Sequence, residues 1–377
     1  MTKPKKDNEG EQQPKLFSSK YIVGLVAMII ILIVTFKLLP TDYTWPEIKE
    51  ILLSAKPGYI IAGFGLMFIF QHCVTLSIQL LINLFSGQRF PLELSFKSAY
   101  IGYFFNNVTP FATGGQPMQM YYMNKRGVSL SYSSIIFMLL SIFYTICLLT
   151  VGAVMLIWKH DLIMSSLHYI RYFMYVGYLL NSLLIVGMVL LIVKPAIIRS
   201  LAKGVSGLLL RFRFIKNPYH YLRKLANFTR GYKANSDALR KKPIVLVKLF
   251  LLHLIQILVL FTIPYLATRS LGGKPNMLAD TVSLQASLYI SANSIPTPGA
   301  VGITETGFVT MFKSILPDHQ VMPAMLLTRF INLYGFMIIS AIITIIAFLR
   351  ADHDRKHKKP RLDKKTKLLK NKANNRV

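Results

Sequence analysis

Two apolar stretches of the sequence are interrupted by proline, glycine and polar residues. The first contains "NNVTPFATGGQP", from Asn106 to Pro117, and the second contains "NSIPTPGAVGITETG", from Asn293 to Gly307. Proline removes a backbone donor and glycine weakens a helix, so both stretches should leave backbone groups unpaired. A helix N-terminus that follows such a break attracts anions, and side-chain amides add neutral donors and acceptors. These residue types indicate a binding site for a phosphate-bearing group.

The candidate binding residues lie in or beside the two breaks. Pro117 and Ile303 stand where helices should begin, and the free N–H groups there would point at the breaks. Any single amide has an alternative role, because it can simply satisfy the broken backbone. Thr304 adds a hydroxyl group. The candidates are Asn107, Pro110, Gly114, Gly115, Gln116, Gln119, Asn293, Pro296, Pro298, Gly299, Gly302, Glu305 and Arg329.

Three charged residues fall at membrane depth, in the spans and interrupted stretches predicted below. They are Glu305, Arg329 and Lys248. A lone buried acid would be protonated and a buried arginine needs a partner, so we expect Glu305 to pair with Arg329. The pair could gate a site or couple it to protons, or it could only fasten the second break to the last span.

The histidines and cysteines form no metal-binding pattern. His72 follows Gln71, and His253 shortly precedes Gln256, without a second histidine or a carboxylate at ligand spacing. These histidines and glutamines are therefore expected to form hydrogen bonds between helices. Both cysteines fall within apolar spans, where they act as small hydrophobic residues. No metal or other cofactor is predicted.

The composition is that of a polytopic membrane protein. Hydrophobic residues make up 53% of the 377 residues and charged residues only 16%, which is too apolar for a soluble protein of this length. Apolar runs of roughly 17 residues or more can cross about 30 Å of hydrocarbon as helices. The first run should stay as an anchor, because no cleavage site follows it. The six predicted spans are 21–39, 58–85, 132–158, 172–193, 244–268 and 322–349.

The interrupted stretches, 98–125 and 281–312, are too broken to be continuous spans. In hydrocarbon an unpaired backbone group costs several kcal/mol unless protein or water satisfies it. We therefore predict two re-entrant pairs of half-helices whose tips lie inside the membrane. The predicted fold class is all-α, with about six transmembrane helices and two such pairs.

The two breaks share a pattern that indicates an internal duplication. The motif Y-x3-N-x2-P begins at Tyr103 in the first stretch and recurs at Tyr289 in the second. Shifting the sequence by the offset between these two tyrosines also brings the flanking spans into register. Each unit would cross the membrane three times, so the second unit begins on the opposite side and the repeats are inverted. The predicted repeats are about 21–158 and 172–349.

Basic residues are distributed unevenly around the predicted spans. The net charge is +29, and with the N-terminus inside, 34 of the 44 Lys and Arg residues fall on the inner side. This bias follows the positive-inside rule and predicts that both termini are cytoplasmic. Attraction to anionic headgroups explains the basic arm (1–20) and tail (350–377), so no nucleic acid is expected as a partner. The basic segment 194–243 should lie in the headgroup plane or form a helical hairpin under the bundle.

The two interrupted stretches and the basic segment resemble a known family. It is the transmembrane, flippase-like region of bacterial lysylphosphatidylglycerol synthases (multiple peptide resistance factors) and their stand-alone relatives. The resemblance covers about residues 15–350, and "PTPGAVGITETG" is similar to the family's P-x-P-G-x-x-G-x-x-E pattern. It implies a lipid-translocating bundle in the bacterial cytoplasmic membrane. Lysyl transfer in that family belongs to a separate soluble domain, for which the sequence after residue 349 leaves no room, so the family's name is not expected to describe the activity of this chain.

The sequence therefore predicts a lipid translocator. It would move an anionic or aminoacylated phospholipid, or a polyprenyl-phosphate-linked headgroup, between leaflets, with a separate synthase enzyme as a candidate partner. Two alternatives stay open. A membrane-embedded transferase needs catalytic acids, and the acidic cluster of Asp42, Glu47 and Glu50 has no metal motif and is expected in a solvated turn. A scaffold for a partner enzyme would not require polar residues at the breaks. The lipid species, energy source and oligomeric state are not determined by the sequence.

Overall fold

The computed structural model describes residues 45–109, 112–167, 171–193, 239, 242–292 and 300–351. Within these ranges the chain forms helices and no strands, which confirms the all-α fold class. The predicted first span (21–39), the basic arm, the tail beyond residue 351 and nearly all of the segment 194–243 lie outside the described residues.

The five longest of the described helices are long and apolar enough to cross a membrane. Their ends fall close to the predicted boundaries. The last helix contains one π-helical turn, Phe330–Gly335. In chain order the helices are α1 (Trp45–Leu53), α2 (Pro57–Ser86), α3 (Leu92–Val108), α4 (Gly115–Lys125), α5 (Leu130–Trp158), α6 (His160–Leu167), α7 (Arg171–Val193), α8 (Pro243–Ser270), α9 (Leu278–Ala292), α10 (Ile303–Phe312) and α11 (Asp318–Ala351).

Local sequence signals set the ends of the long helices. Pro57 and Pro243 occupy the first turns of α2 and α8, where a missing N–H group removes no helical hydrogen bond. Gly87, with a φ of 64°, closes α2 in the left-handed conformation. The hydroxyl of Ser129 accepts a hydrogen bond from the N–H of Tyr132 at 3.3 Å and caps α5.

α3 and α4 form the first hairpin. They have 17 and 11 residues, which gives lengths of about 25 and 16 Å at 1.5 Å per residue, so neither crosses the hydrocarbon alone. Glycines allow the two helices to lie close together. A Cβ atom at Gly102 would overlap the side chain of Gln119, and one at Gly115 would overlap that of Asn106.

α9 and α10 form the second hairpin, with 15 and 10 residues. Its break, at residues 293–299, lies outside the described residues. Both interrupted stretches are thus pairs of short helices, as predicted. The first helix of each pair begins earlier than expected, at Leu92 and Leu278. The residues just before each predicted stretch are less apolar but still compatible with a helix.

The second half of the chain repeats the first at the predicted offset. α2 and α8 begin at Pro57 and Pro243, and α3 and α9 begin at Leu92 and Leu278. The separation along the sequence is identical for both pairs and equals that of the repeated tyrosine motif. α5 and α11 begin at nearly the same separation. The helix bounds agree with an internal duplication, while the outer limits of the two repeats stay a prediction.

Equivalent helices run in opposite directions. The backbone N–H of Lys56, just before α2, donates to the carbonyl of Ser270, the last residue of α8, at 2.9 Å. The guanidinium of Arg269 also donates to the hydroxyl of Tyr59, in the first turn of α2, at 3.2 Å. Because the start of α2 meets the end of α8, these two helices are antiparallel.

The two hairpins enter the bundle from opposite ends. Lys159, just after α5, forms a 2.8 Å ion pair with Asp280, in the first turn of α9. Glu93, in the first turn of α3, lies 3.8 Å from Arg350, near the end of α11. α5 starts near the end of α4, in the first hairpin, and finishes beside α9, in the second. The Glu93 and Asp280 contacts therefore lie at opposite ends of α5. We call the two ends of the bundle the Glu93 end and the Asp280 end.

The surface of the bundle is apolar, as expected of helices surrounded by lipid. On the peripheral helix α7, Leu179 and Leu183 are 60% and 58% exposed. Large side chains such as Tyr100, Phe261 and Phe336 are fully buried among α3, α8 and α11. The polar groups described below therefore lie inside an apolar shell.

The acidic cluster near the start of the described chain lies partly on a helix rather than in the expected turn. Glu47 and Glu50 are exposed on α1, and Asp42 lies outside the described residues. Ile48 is only 2% exposed and anchors one face of α1 against the bundle. α1 is amphipathic: one face is buried against the bundle, and its charged residues lie on the exposed face.

The opposite entry of the hairpins predicts a labelling pattern. Single cysteines replacing Gln88, near the Glu93 end, and Asn276, near the Asp280 end, should react with a membrane-impermeant maleimide from opposite sides of the membrane. Both positions are exposed, Gln88 in a bend and Asn276 in the short 3-10 turn Pro275–Met277, whereas the native Cys73 and Cys147 are buried and should give little background. Labelling of both cysteines from the same side would contradict this arrangement.

Candidate functional site

Described residues beside both hairpin breaks line one cavity inside the bundle. Its volume is about 650 Å³, and every helix from α2 to α11 except α6 contributes to its wall. Ala112 of the first break and Ala300 of the second both line it. Gln71 and Gln256, about midway along α2 and α8, face it from the two repeats. The cavity is therefore the place where the interrupted stretches meet.

The backbone is strained where each break approaches this cavity. Ala112 and Ala300 have φ angles of 52° and 53°, and they are the only non-glycine residues with positive φ in the described part of the chain. Each lies just before the next helix, which begins at Gly115 or at Ile303. Such a conformation costs about 1–3 kcal/mol and is concentrated at functional sites.

The sequence-predicted residues fall into three groups. Those that line the cavity are Asn107, Gln116, Gln119, Thr304 and Arg329. Those that shape the breaks without lining it are Gly114, Gly115, Gly302 and Glu305. Those that lie outside the described residues are Pro110, Asn293, Pro296, Pro298 and Gly299.

The first hairpin caps its second helix with a threonine. The hydroxyl of Thr109 accepts a hydrogen bond from the N–H of Gly114 at 2.8 Å and donates to the carbonyl of Phe105 at 2.7 Å. α4 begins at Gly115, so Pro117 is its third residue rather than its first. Proline still fits there, because first-turn N–H groups lack helical partners.

The second hairpin caps its second helix with a carboxylate. One oxygen of Glu305 accepts from the N–H of Gly302 at 2.7 Å and from the hydroxyl of Thr304 at 3.1 Å. The N–H group of Gly302 is thus taken by the protein itself, because Glu305 occupies the third helical position after the cap, as in a capping box. That the N–H groups from Ile303 onward are free for a ligand stays a prediction.

Glu305 also forms the ion pair that the sequence predicts. Its other oxygen accepts from Nε of Arg329 at 2.6 Å, and both side chains are buried. The hydroxyl of Tyr334 lies 3.5 Å from the same oxygen. Charge-assisted hydrogen bonds of this kind are about twice as strong as neutral ones. The pair fastens the second hairpin to α11.

A π-helical turn follows Arg329 directly. It spans Phe330–Gly335 and leaves backbone carbonyls without the usual helical geometry. The hydroxyl of Tyr103, on α3, donates a hydrogen bond to the carbonyl of Asn332 in this turn. The first hairpin is thereby joined to the same segment of α11 that the ion pair holds.

Several cavity amides bond to nearby protein groups. Asn107 donates to the carbonyl of Tyr103 at 2.8 Å, and Gln119 donates to the carbonyl of Ser98 at 3.0 Å. Gln116 donates to the hydroxyl of Ser141 at 2.7 Å. These contacts agree with the alternative in which an amide satisfies the protein itself, although each residue also lines the cavity.

Other cavity amides have atoms without partners. Both polar side-chain atoms of Gln71, Oδ1 of Asn106, Oε1 of Gln256 and Oδ1 of Asn332 are buried and form no hydrogen bond to any described residue. The side chains of Gln71 and Gln256 were expected to form hydrogen bonds between helices, and for these atoms the expectation is wrong. Unpaired buried polar groups are rare in folded proteins, and these atoms have almost no exposed surface, so they do not face the cavity directly.

Sequence reasoning missed several residues of this wall. Asn106, Asn181, Tyr144 and Asn332 line the cavity but follow no motif. The signal for Asn106 was its place inside the quoted break, beside Asn107. For the others, only helical packing decides whether a polar residue of a span faces lipid, protein or a cavity.

Charged and histidine residues elsewhere do not form a second site. Lys248 is exposed in the second turn of α8, so its side chain points away from the bundle and does not line the cavity. Lys97 is buried instead and pairs with Glu93, whose pKa is lowered by this hydrogen bond. His253 lines the cavity and contacts the carbonyl of Leu249 at 2.8 Å. In the described ranges no group of three histidine, cysteine or acidic residues could hold a metal.

Comparison with known protein families gives a match over most of the chain. A family model described as "Lysylphosphatidylglycerol synthase TM region" matches residues 21–340, which include both hairpins and the whole cavity wall. No curated protein matches the chain.

The buried ion pair predicts a coupled loss of stability. Glu305→Gln or Arg329→Gln alone should lower the free energy of unfolding by about 3–5 kcal/mol, because each leaves an uncompensated buried charge. The double variant should lose less than the sum of the two. Thermal unfolding in detergent measures all three.

The exposed pair of Lys313 and Asp318, 3.8 Å apart, provides the control. Asp318→Asn should change the free energy of unfolding by less than about 1 kcal/mol. Strictly additive losses for Glu305→Gln and Arg329→Gln would contradict the coupling.

Proposed function

Because this chain belongs to the lysylphosphatidylglycerol synthase transmembrane-region family, we propose that it carries the polar headgroup of a lipid between the two leaflets of the cytoplasmic membrane. The lipid is an anionic or aminoacylated phospholipid, or a lipid-linked headgroup. The observation that carries the proposal is the single cavity that both hairpin breaks share, with its wall of amides, hydroxyls and one arginine.

A polar cavity reduces the main barrier to lipid translocation. Moving a phosphate through hydrocarbon is costly because its charge loses water without gaining partners. The cavity supplies partners at membrane depth, while the acyl chains can stay in lipid. Leu184 of α7 lines the cavity and is 59% exposed on the lipid-facing surface, which supports a lateral opening beside α7.

The antiparallel hairpins support alternating access. One enters from the Glu93 end and the other from the Asp280 end, and both reach the same cavity. In secondary transporters, inverted repeats of this kind expose a central site to one side at a time by rocking against each other. Tyr103 of the first hairpin bonds to Asn332 of α11, and Glu305 of the second hairpin bonds to Arg329 of α11. A shift of this segment of α11 would therefore act on both hairpins.

The charge distribution supports an orientation with the Glu93 end in the cytoplasm. The connection from α7 to α8 and the chain after α11 both leave the bundle at that end. They carry 13 Lys and Arg residues between 194 and 243, and 12 after residue 349. The positive-inside rule then assigns this end to the cytoplasmic leaflet.

Filling the cavity should stop translocation. In vesicles that contain the purified protein and an acyl-labelled phospholipid, a membrane-impermeant quencher reports how much label reaches the outer leaflet. Thr145→Phe places an aromatic ring at the cavity wall and should remove most of the protein-dependent rate. Thr150→Phe, an exposed position on the same helix, should leave the rate unchanged.

The same experiment separates the alternatives. A scaffold would give no translocation with either variant or with the original sequence. A transferase would change the total amount of a lipid species in cells rather than its distribution between leaflets. Equal rates for Thr145→Phe and Thr150→Phe would exclude the cavity as the pathway.

A further inference from the structure

We infer that a pocket at the Glu93 end of the bundle binds the phosphate of an anionic phospholipid from the adjoining leaflet. The pocket lies between the start of α3, the end of α4 and the end of α11, and its volume is about 670 Å³. We call it the Arg350 pocket. It shares no lining residue with the central cavity. The inference goes beyond the proposed function, because binding at this pocket requires no translocation.

The Arg350 pocket lies at the depth of lipid headgroups. α11 has 34 residues, which gives about 51 Å at 1.5 Å per residue, whereas the hydrocarbon core is about 30 Å thick. Arg350 is the last residue but one of α11, and Arg126 directly follows α4. Basic side chains at such helix ends reach the layer that holds the phosphate groups.

Positive charge exceeds negative charge at this pocket. Arg126 and Arg350 line it, and Glu93 is the only acid among the described residues of its wall. Lys97 donates a hydrogen bond to Glu93, and Arg350 lies 3.8 Å from the same carboxylate. The pKa of Glu93 is lowered, mostly by Lys97 and further by the charges of Arg350 and Arg126. Three cations thus share one carboxylate, and these four groups have a net positive charge.

The neighbouring segments of the chain supply few anions to balance this charge. After residue 349 the sequence contains 12 Lys and Arg residues and only three acids. Between 194 and 243 it contains 13 Lys and Arg residues and one acid. The balancing anion is therefore expected from outside the chain. At a membrane surface that anion is the phosphate of a phospholipid, and basic pockets between helices bind such headgroups.

One side of the pocket is apolar and reaches the lipid-facing surface. Phe90, Leu94 and Leu349 line it, and Leu349 is 64% exposed on α11. A phospholipid matches both sides, because its phosphate can bind the arginines while its glycerol and first acyl carbons contact the apolar residues. A soluble phosphate would leave the apolar side uncovered. The volume also lies within the range of roughly 300–1,000 Å³ that is typical of small-molecule sites.

The pocket adjoins the central cavity along α4. Gln116 and Gln119 line the central cavity, and Tyr122 and Arg126 line the Arg350 pocket. These four residues follow one another at intervals of three or four, so they share one face of the chain at α4. A phosphate bound at Arg126 is therefore held beside the helix that borders both cavities.

Quenching of a tryptophan beside the pocket measures which lipid occupies it. Ile346 lies one turn before Arg350 and is exposed, so Ile346→Trp reports on the pocket without filling it. With Trp45 and Trp158 replaced by Phe, the protein is reconstituted in phosphatidylcholine vesicles that contain brominated phosphatidylglycerol or brominated phosphatidylcholine. We expect phosphatidylglycerol to bind at least about fivefold more tightly than phosphatidylcholine, since each basic residue near a headgroup contributes about 1 kcal/mol. Equal quenching by both lipids would overturn the inference.

Arginine variants separate a site from a generally basic surface. Arg126→Gln and Arg350→Gln should each remove most of the preference for phosphatidylglycerol. Arg89→Gln is the matched control, because it removes the same charge from an exposed position at the same end but outside the pocket. It should keep the preference. An equal loss with Arg89→Gln would show that the lipid is attracted by the surface alone, against the inference. Arg350 is exposed, so Arg350→Gln should leave the thermal midpoint unchanged and gives a folded variant to compare.

A soluble phosphate ester is the other source of the same chemistry. An excess of glycerol phosphate should reduce the quenching by brominated phosphatidylglycerol no more than sodium chloride of equal ionic strength does, because it has no acyl chains to cover the apolar side. Displacement beyond that of sodium chloride would assign the pocket to a soluble phosphate and disprove the lipid. All of these readings are taken at equilibrium, so their failure leaves the proposed function standing, and a failure of translocation leaves this inference standing.

Discussion

A helix can be broken inside an apolar bundle only if the protein satisfies the backbone groups that the break exposes. The carboxylate of Glu305 meets this constraint for the second hairpin. It accepts from the N–H of Gly302 at the start of α10 and from Arg329 on α11, so one buried acid closes a helix end and holds two elements together. Each charge is tolerated because the other is present. Removing this contact would remove both the cap of α10 and its ion pair with α11.

The two repeats solve the same problem with different chemistry. Gln119 and Glu305 occupy equivalent positions under the offset that relates the repeats, but the first is neutral and donates to the carbonyl of Ser98. The first hairpin therefore relies on Thr109 for its cap and on Tyr103 for its contact with α11. As a result, the only ion pair beside the cavity in the described chain belongs to the second repeat. The two hairpins thus share the spacing of their helices and differ in their polar groups.

The sequence predicted what depends on local pattern and long apolar runs. The five described spans, both hairpins and the pairing of Glu305 with Arg329 follow from hydropathy, helix breakers and the cost of a buried charge. The occupied N–H of Gly302 and the exposed Lys248 were not predicted, because they depend on which way a side chain turns. Gln71 shows the same limit: its residue type indicates a hydrogen bond, but packing decides whether a partner is present.

The unpaired amides make this cavity a poor core and a good transient binding site. A buried polar group without a partner costs about 1–3 kcal/mol, and the left-handed alanines at both breaks add strain. A ligand that forms hydrogen bonds with the polar side chains of the cavity wall is stabilised, yet each neutral bond contributes only about 0.5–1.5 kcal/mol. A carrier must release its cargo, and several weak neutral contacts dissociate more readily than one buried ion pair. Placing the carboxylate of Glu305 behind Arg329, away from the cavity surface, keeps the strongest interaction within the protein and leaves the weaker ones for the lipid.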